Sequence, residues 1–69
     1  RRRSFKESRE LEALDRELPE LEQRKAALES ALSTAGSDDL TRLSEELAAV
    51  HQQLEQTEER WLELSELAP

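Results

Sequence analysis

The residues best suited to chemistry stand at the start of the chain. Arg1, Arg2, Arg3, Lys6 and Arg9 place five cations within nine residues, opposed only by the carboxylate of Glu7. A guanidinium offers forked N–H donors that match phosphate oxygens, and lysine adds a compact point charge. Such a cluster can hold a phosphate backbone with an affinity that depends on salt but not on base sequence. The same cluster serves equally as a basic linker, residues 1–3, arriving from a preceding domain. Residue types leave these two readings level, because the rest of the chain repels phosphate. Residues 1–9 sum to +4 and residues 10–69 to −11, giving the total of −7.

Other reactive side chains lack the company that catalysis or metal binding requires. His51 is the single histidine and there is no cysteine, so no ligand set of metal-binding type can be assembled. Ser30, Ser33, Ser37 and Ser44 lie near His51 in number, but nothing orients them into a triad. Glutamates recur at helical spacing on faces that read as solvated, whereas a carboxylate working as an acid needs burial or crowding. A lone glycine, Gly36, excludes a phosphate-cradling glycine loop. No active site and no cofactor are therefore expected within this chain. Trp61 reads as a seam-filling residue, since a base-stacking role would need an exposed ring.

The elements that position these residues follow from composition and period. Charged residues make up 39% and hydrophobic residues 35%, with Phe5 and Trp61 the only aromatics, a mixture suited to long helices with a narrow apolar seam. Glu, Leu, Ala and Arg are strong helix formers, and β-branched residues are scarce. In the first half Leu11, Leu14, Leu18, Leu21, Leu28 and Leu32 keep an a/d heptad in which Lys25 fills the skipped position. Lys25 is expected to set register while its ammonium reaches toward Glu22, Glu29 or Glu46. The second half continues with Leu40, Leu43, Leu47, Val50, Leu54, Thr57, Trp61, Leu64 and Ala68. Between Leu32 and Leu40 the step is 8, a phase slip that coincides with Ser33–Asp39 and with Gly36.

The spacing predicts an all-α, two-helix antiparallel coiled-coil hairpin over residues 4–69. Helix one is expected at about 5–33, a loop at about 34–38 and helix two at about 39–67. Ser4 and Glu7 form a capping-box pattern that starts the first helix. Gly36 suits a helix C′ position with positive φ, and Ser37 or Asp38 suits the next N-cap. Folding back at the glycine brings together residues whose numbers sum to about 72, so that Leu21 meets Val50, Leu11 meets Trp61, and Phe5 reaches Leu67 and Ala68. Pro19 falls inside the first helix, and a kink or short 3₁₀ turn is expected over residues 15–19. No apolar run approaches the roughly 20 residues of a membrane span. The expectation is a soluble, cytoplasmic, monomeric hairpin cut from a longer protein.

The segments Ser4-Phe5-Lys6-Glu7-Ser8-Arg9-Glu10-Leu11-Glu12-Ala13-Leu14 and Glu59-Arg60-Trp61-Leu62-Glu63-Leu64 narrow this further. Together they resemble the opening and closing motifs of the C-terminal domain of F-subfamily ATP-binding-cassette ATPases, in particular the Uup-like branch. One departure is that the proline is Pro19, one turn after Asp15, where the family often has it. The resemblance implies a parent with two tandem cassettes that bind ATP and magnesium outside this chain, and a C-terminal hairpin associated with DNA. It also implies ribosome contact as an alternative, while a structural protein-interaction coiled coil is the third reading. On this resemblance Arg1, Arg2, Arg3, Lys6 and Arg9 are the expected phosphate contacts.

Overall fold

A computed structural model describes residues 1–69 as two helices folded into a rod of 51 × 15 × 15 Å. Helix α1 spans Phe5–Ser33 and helix α2 spans Ser37–Ser65, each 29 residues long. The capping box starts α1 as the sequence predicts. The Glu7 amide donates to Ser4 Oγ at 3.0 Å, and the Ser4 amide donates to Glu7 Oε1 at 2.9 Å. Two donors that a helix N-terminus leaves open are thereby satisfied.

The turn differs from expectation. Gly36 has φ −80° and ψ 170°, and it is the N-cap of α2 rather than a C′ residue of α1. Thr34 closes α1; its amide donates to the Ala31 carbonyl, and the Ala35 amide donates to that of Leu32. Ser37 is the first residue of α2, so the loop is shorter than 34–38 and α2 begins and ends two residues earlier than expected. Extended backbone at Gly36 is open to any residue, and a Cβ there would meet nothing within 4 Å. The reversal therefore does not depend on left-handed glycine geometry.

At Pro19 one of the two expected forms is ruled out. Residues 15–19 are α-helical throughout, and the short 3₁₀ turn does not form. Pro19 is exposed. Solvent-side hydrogen bonds of a helix are already its longest, so a missing N–H costs least on that face.

Heptad pairing makes the core. Leu14, Leu21 and Leu28 are buried on α1, one per heptad, and they face Leu43, Val50, Leu54, Thr57 and Leu64 on α2. The alternate positions Leu11, Leu18, Lys25 and Leu32 are half-buried, forming the rim of the seam. Lys25 takes part in none of the six ion pairs, so its predicted reach toward Glu22, Glu29 or Glu46 is not made. Leu21, Leu28, Leu43, Val50 and Leu54 form one continuous cluster in the loop-side half of the rod. Toward the chain ends, packing passes to Leu14 and Leu64, the latter with no exposed surface.

Three substitutions test this packing. Leu64→Ala should cost about 2–5 kcal/mol in urea denaturation, most of what so small a domain possesses. Leu62→Ala, at a residue 52% exposed, should stay within about 0.5 kcal/mol; equal losses would mean the seam is assigned wrongly. Pro19→Ala restores the donor for the Asp15 carbonyl and should raise stability by roughly 1–3 kcal/mol in the same assay. A decrease would show that the ring contributes to packing.

Candidate nucleic-acid interface

The five predicted cations gather at the open end of the hairpin, where both chain termini lie, but they do not share one role. Arg1 faces Glu7 as a fork, with Nη1 to Oε1 at 2.7 Å and Nη2 to Oε2 at 2.8 Å. Glu7 is thus both the capping-box residue of α1 and the partner of Arg1. Counting back by heptads from Leu11 places it on the seam, and its side chain is only 15% exposed. The Arg1 hydrogen bond, followed by the Ser4 amide, holds its carboxyl at about 2, well below the ordinary 4.5. The same pairing raises the Arg1 guanidinium.

Arg3 is the half-buried member. Its Nη1 donates to the carbonyls of Leu64 at 3.0 Å and Leu67 at 2.9 Å, and its amide donates to the Ala68 carbonyl at 2.7 Å. The physical reason lies in α2, whose last turn has no basic residue of its own. Carbonyls at a helix C-terminus carry partial negative charge and lack amide partners, and Arg3 supplies a cation from the other end of the chain. Its Nε is buried with no hydrogen-bond partner, so the fit is incomplete. Arg2 forms a parallel bridge with Ala68, and its Nε donates to the Pro69 carbonyl oxygen at 3.3 Å. Residues 1–3 therefore lie as a strap across the end of α2.

Further in, two polar contacts join the helices. Arg60 grips Glu10 as a fork, Nε to Oε2 at 2.7 Å and Nη2 to Oε1 at 2.9 Å, while Nη1 reaches Glu63 at 3.0 Å. The Arg60 hydrogen bond lowers the Glu10 carboxyl, and the two glutamates raise the guanidinium in turn. Trp61 Nε1 donates to Asp15 Oδ1 at 2.7 Å. The indole is half-buried, sealing the edge of the seam with its polar tip outward rather than filling the centre. Sequence reasoning missed both contacts. The antiparallel register already set Arg60 within a turn of Glu10, and that was the available signal.

Four of the five cations are exposed, Arg1, Arg2, Lys6 and Arg9; of these, Arg1 is held by Glu7 and Arg2 makes one 3.3 Å bond to the Pro69 carbonyl. Arg9 has only a 3.9 Å contact to Glu12, and both side chains there are about two-thirds exposed, at 67% and 65%. Its guanidinium carbon lies 5.7 Å from the centroid of the Phe5 ring. Phe5 is 79% exposed and does not reach Leu67 or Ala68 as expected. The reason is phase, since heptads counted back from Leu11 put Ser4 and Glu7 on the seam and leave Phe5 one residue off it.

The family model described as ABC transporter C-terminal domain matches residues 2–66. The chain belongs to the ABC transporter C-terminal domain family. No curated protein and no solved structure matches it. For this C-terminal domain the match takes in the strap, both helices and the Glu10–Arg60 and Asp15–Trp61 contacts, though not Arg1. Neither helix is long and apolar enough to cross a membrane.

The Glu7 contact carries a pH signature. Its folded-state pKa lies below the unfolded value, so its stabilising contribution is complete above about pH 4.5 and is lost as pH falls toward about 2. Glu10 shifts in the same direction. The thermal midpoint difference between the native chain and Glu7→Gln should stay constant from neutral pH to about pH 5 and narrow below it. Comparing the two proteins at each pH cancels the other carboxylates, and a difference unchanged at about pH 2 would refute the assignment.

Proposed function

We propose that this C-terminal domain is a non-catalytic, nucleic-acid-binding accessory hairpin, directed at DNA, of a cytoplasmic tandem-cassette ATPase of the F subfamily and Uup-like branch. In this reading the cassettes of the parent bind ATP and magnesium, and the hairpin supplies phosphate contacts. The observation that carries it is the exposure of Arg1, Arg2, Lys6 and Arg9 at one end of a rod whose remainder is net acidic. Opposed charge along the shaft turns a phosphate backbone toward that end and away from the helices. Arg1 and Arg3 belong to the same end, but their side chains are engaged more closely within the chain than that of Arg2, whose one bond is 3.3 Å long, and they contribute mainly by holding the strap in place.

A second reading is favoured by that same engagement. If the arginines serve only to clasp the helix ends, the domain is a structural, protein-interacting rod. Titration of labelled duplex DNA at low and moderate salt separates the two. The nucleic-acid reading expects an affinity that falls steeply with salt. Alanine at Arg2, Lys6 or Arg9 should each reduce the logarithmic salt slope by about 0.7–0.9, and Arg1→Ala should reduce it less. Absence of affinity at low salt, or affinity indifferent to all three substitutions, leaves the structural reading. Replacing DNA by a structured ribosomal RNA fragment tests the ribosome-contacting alternative, which requires the RNA to bind more tightly.

A further inference from the structure

The five cations account for phosphate, but they leave Phe5 without a purpose. A single exposed apolar residue is ordinary on a protein surface. Phe5 is a particular case, because it is one of two aromatics in the chain and the other, Trp61, is tied to Asp15 at the helix edge. At the first position of α1, Phe5 lies one residue off the seam, with 79% of its surface in solvent. Its neighbours include exposed cations: Lys6 beside it in sequence, Arg9 one turn on and Arg2 three residues before. Arg9 lies over the ring with its guanidinium carbon 5.7 Å from the centroid, within the range in which a cation is attracted to an aromatic face.

We infer that Phe5, flanked by Arg2, Lys6 and Arg9, is a stacking platform for an unpaired base of single-stranded DNA. The inference rests on the nucleic-acid reading above and adds the form of the ligand. Bases in a duplex are already stacked and present only their edges, so an aromatic ring standing in water gains nothing from them. An unpaired base has a free π-face, and exposed aromatics interleaved with cations are the means by which proteins hold single strands without reading sequence. Arg9 on one side of the ring leaves the remainder open for a base, and the exposed Lys6 and Arg2, near in sequence, add positive charge to the same end of the rod. The acidic shaft beyond Glu10 discourages the strand from following the helices, which confines contact to a few nucleotides at the hairpin end.

The test compares three probes of one length on the whole 69-residue chain: a single-stranded oligonucleotide, the same strand with abasic sites, and a blunt duplex. The native chain should bind the base-bearing strand about tenfold more tightly than the abasic one at a fixed low salt concentration. Phe5→Leu, which keeps an apolar side chain but removes the ring, should abolish that preference. Its duplex affinity and salt slope should stay unchanged, and Phe5→Tyr should retain the preference. Phe5 is mostly exposed, so an unaltered thermal midpoint for Phe5→Leu establishes that folding is intact. Equal binding of base-bearing and abasic strands by the native chain, or an equal loss on all probes in Phe5→Leu, overturns the platform and leaves phosphate binding standing. No affinity for any probe overturns the nucleic-acid reading itself, and the platform with it.

Discussion

Everything in this domain depends on the pairing of two narrow apolar stripes. Neither helix has enough apolar surface to be stable in water alone, since isolated helices are marginal even with favourable composition. Only seven apolar residues and Thr57 are buried, and they lie in a single file along the interface. There is no second layer, no disulfide and no alternative core to absorb a loss. Each seam residue therefore carries a large share of a small total.

A seam of this kind is weakest where it ends. At the loop, covalent connection holds the helices together, and the continuous cluster from Leu21 to Leu54 lies on that side. The open end has no such connection and is held by polar contacts instead. Glu10–Arg60 and Asp15–Trp61 cross between helices, and the strap of residues 1–3 covers the carbonyls that α2 leaves open. Arg3 is positioned by the C-terminus of a helix that lacks a basic residue in its last turn. Arg1 is positioned by a glutamate that also caps α1. Holding the end of the rod thus draws on three of the five cations, Arg1, Arg2 and Arg3, and the partition between engaged and open charge follows from helix-end chemistry.

That partition shapes the functional reading. Lys6 and Arg9 face solvent because the helix ends need nothing further from them, Arg2 stays exposed with a single 3.3 Å bond to the Pro69 carbonyl, and Phe5 faces solvent because heptad phase leaves it off the seam. The rod's remaining surface is acidic. A polarised molecule results, with a cationic, aromatic tip whose backbone is fixed by the capping box and the strap.

Much of this was legible from the residues in order. The heptads of Leu11–Leu32 and Leu40–Leu64, the phase slip between them and the Ser4–Glu7 capping box determine two helices and their antiparallel return, because period and local hydrogen bonding act over a few residues. The charge asymmetry and the clustering of the five cations were equally plain. Tertiary structure alone decided which cations are engaged, since Arg3 finds its carbonyls at Leu64 and Leu67, at the far end of the sequence. It decided that Gly36 caps α2 in extended backbone, that Pro19 is carried within the helix, and that Trp61 seals an edge while Phe5 stands open. These outcomes depend on how two helix ends meet in space, where a shift of one residue moves a side chain from seam to solvent.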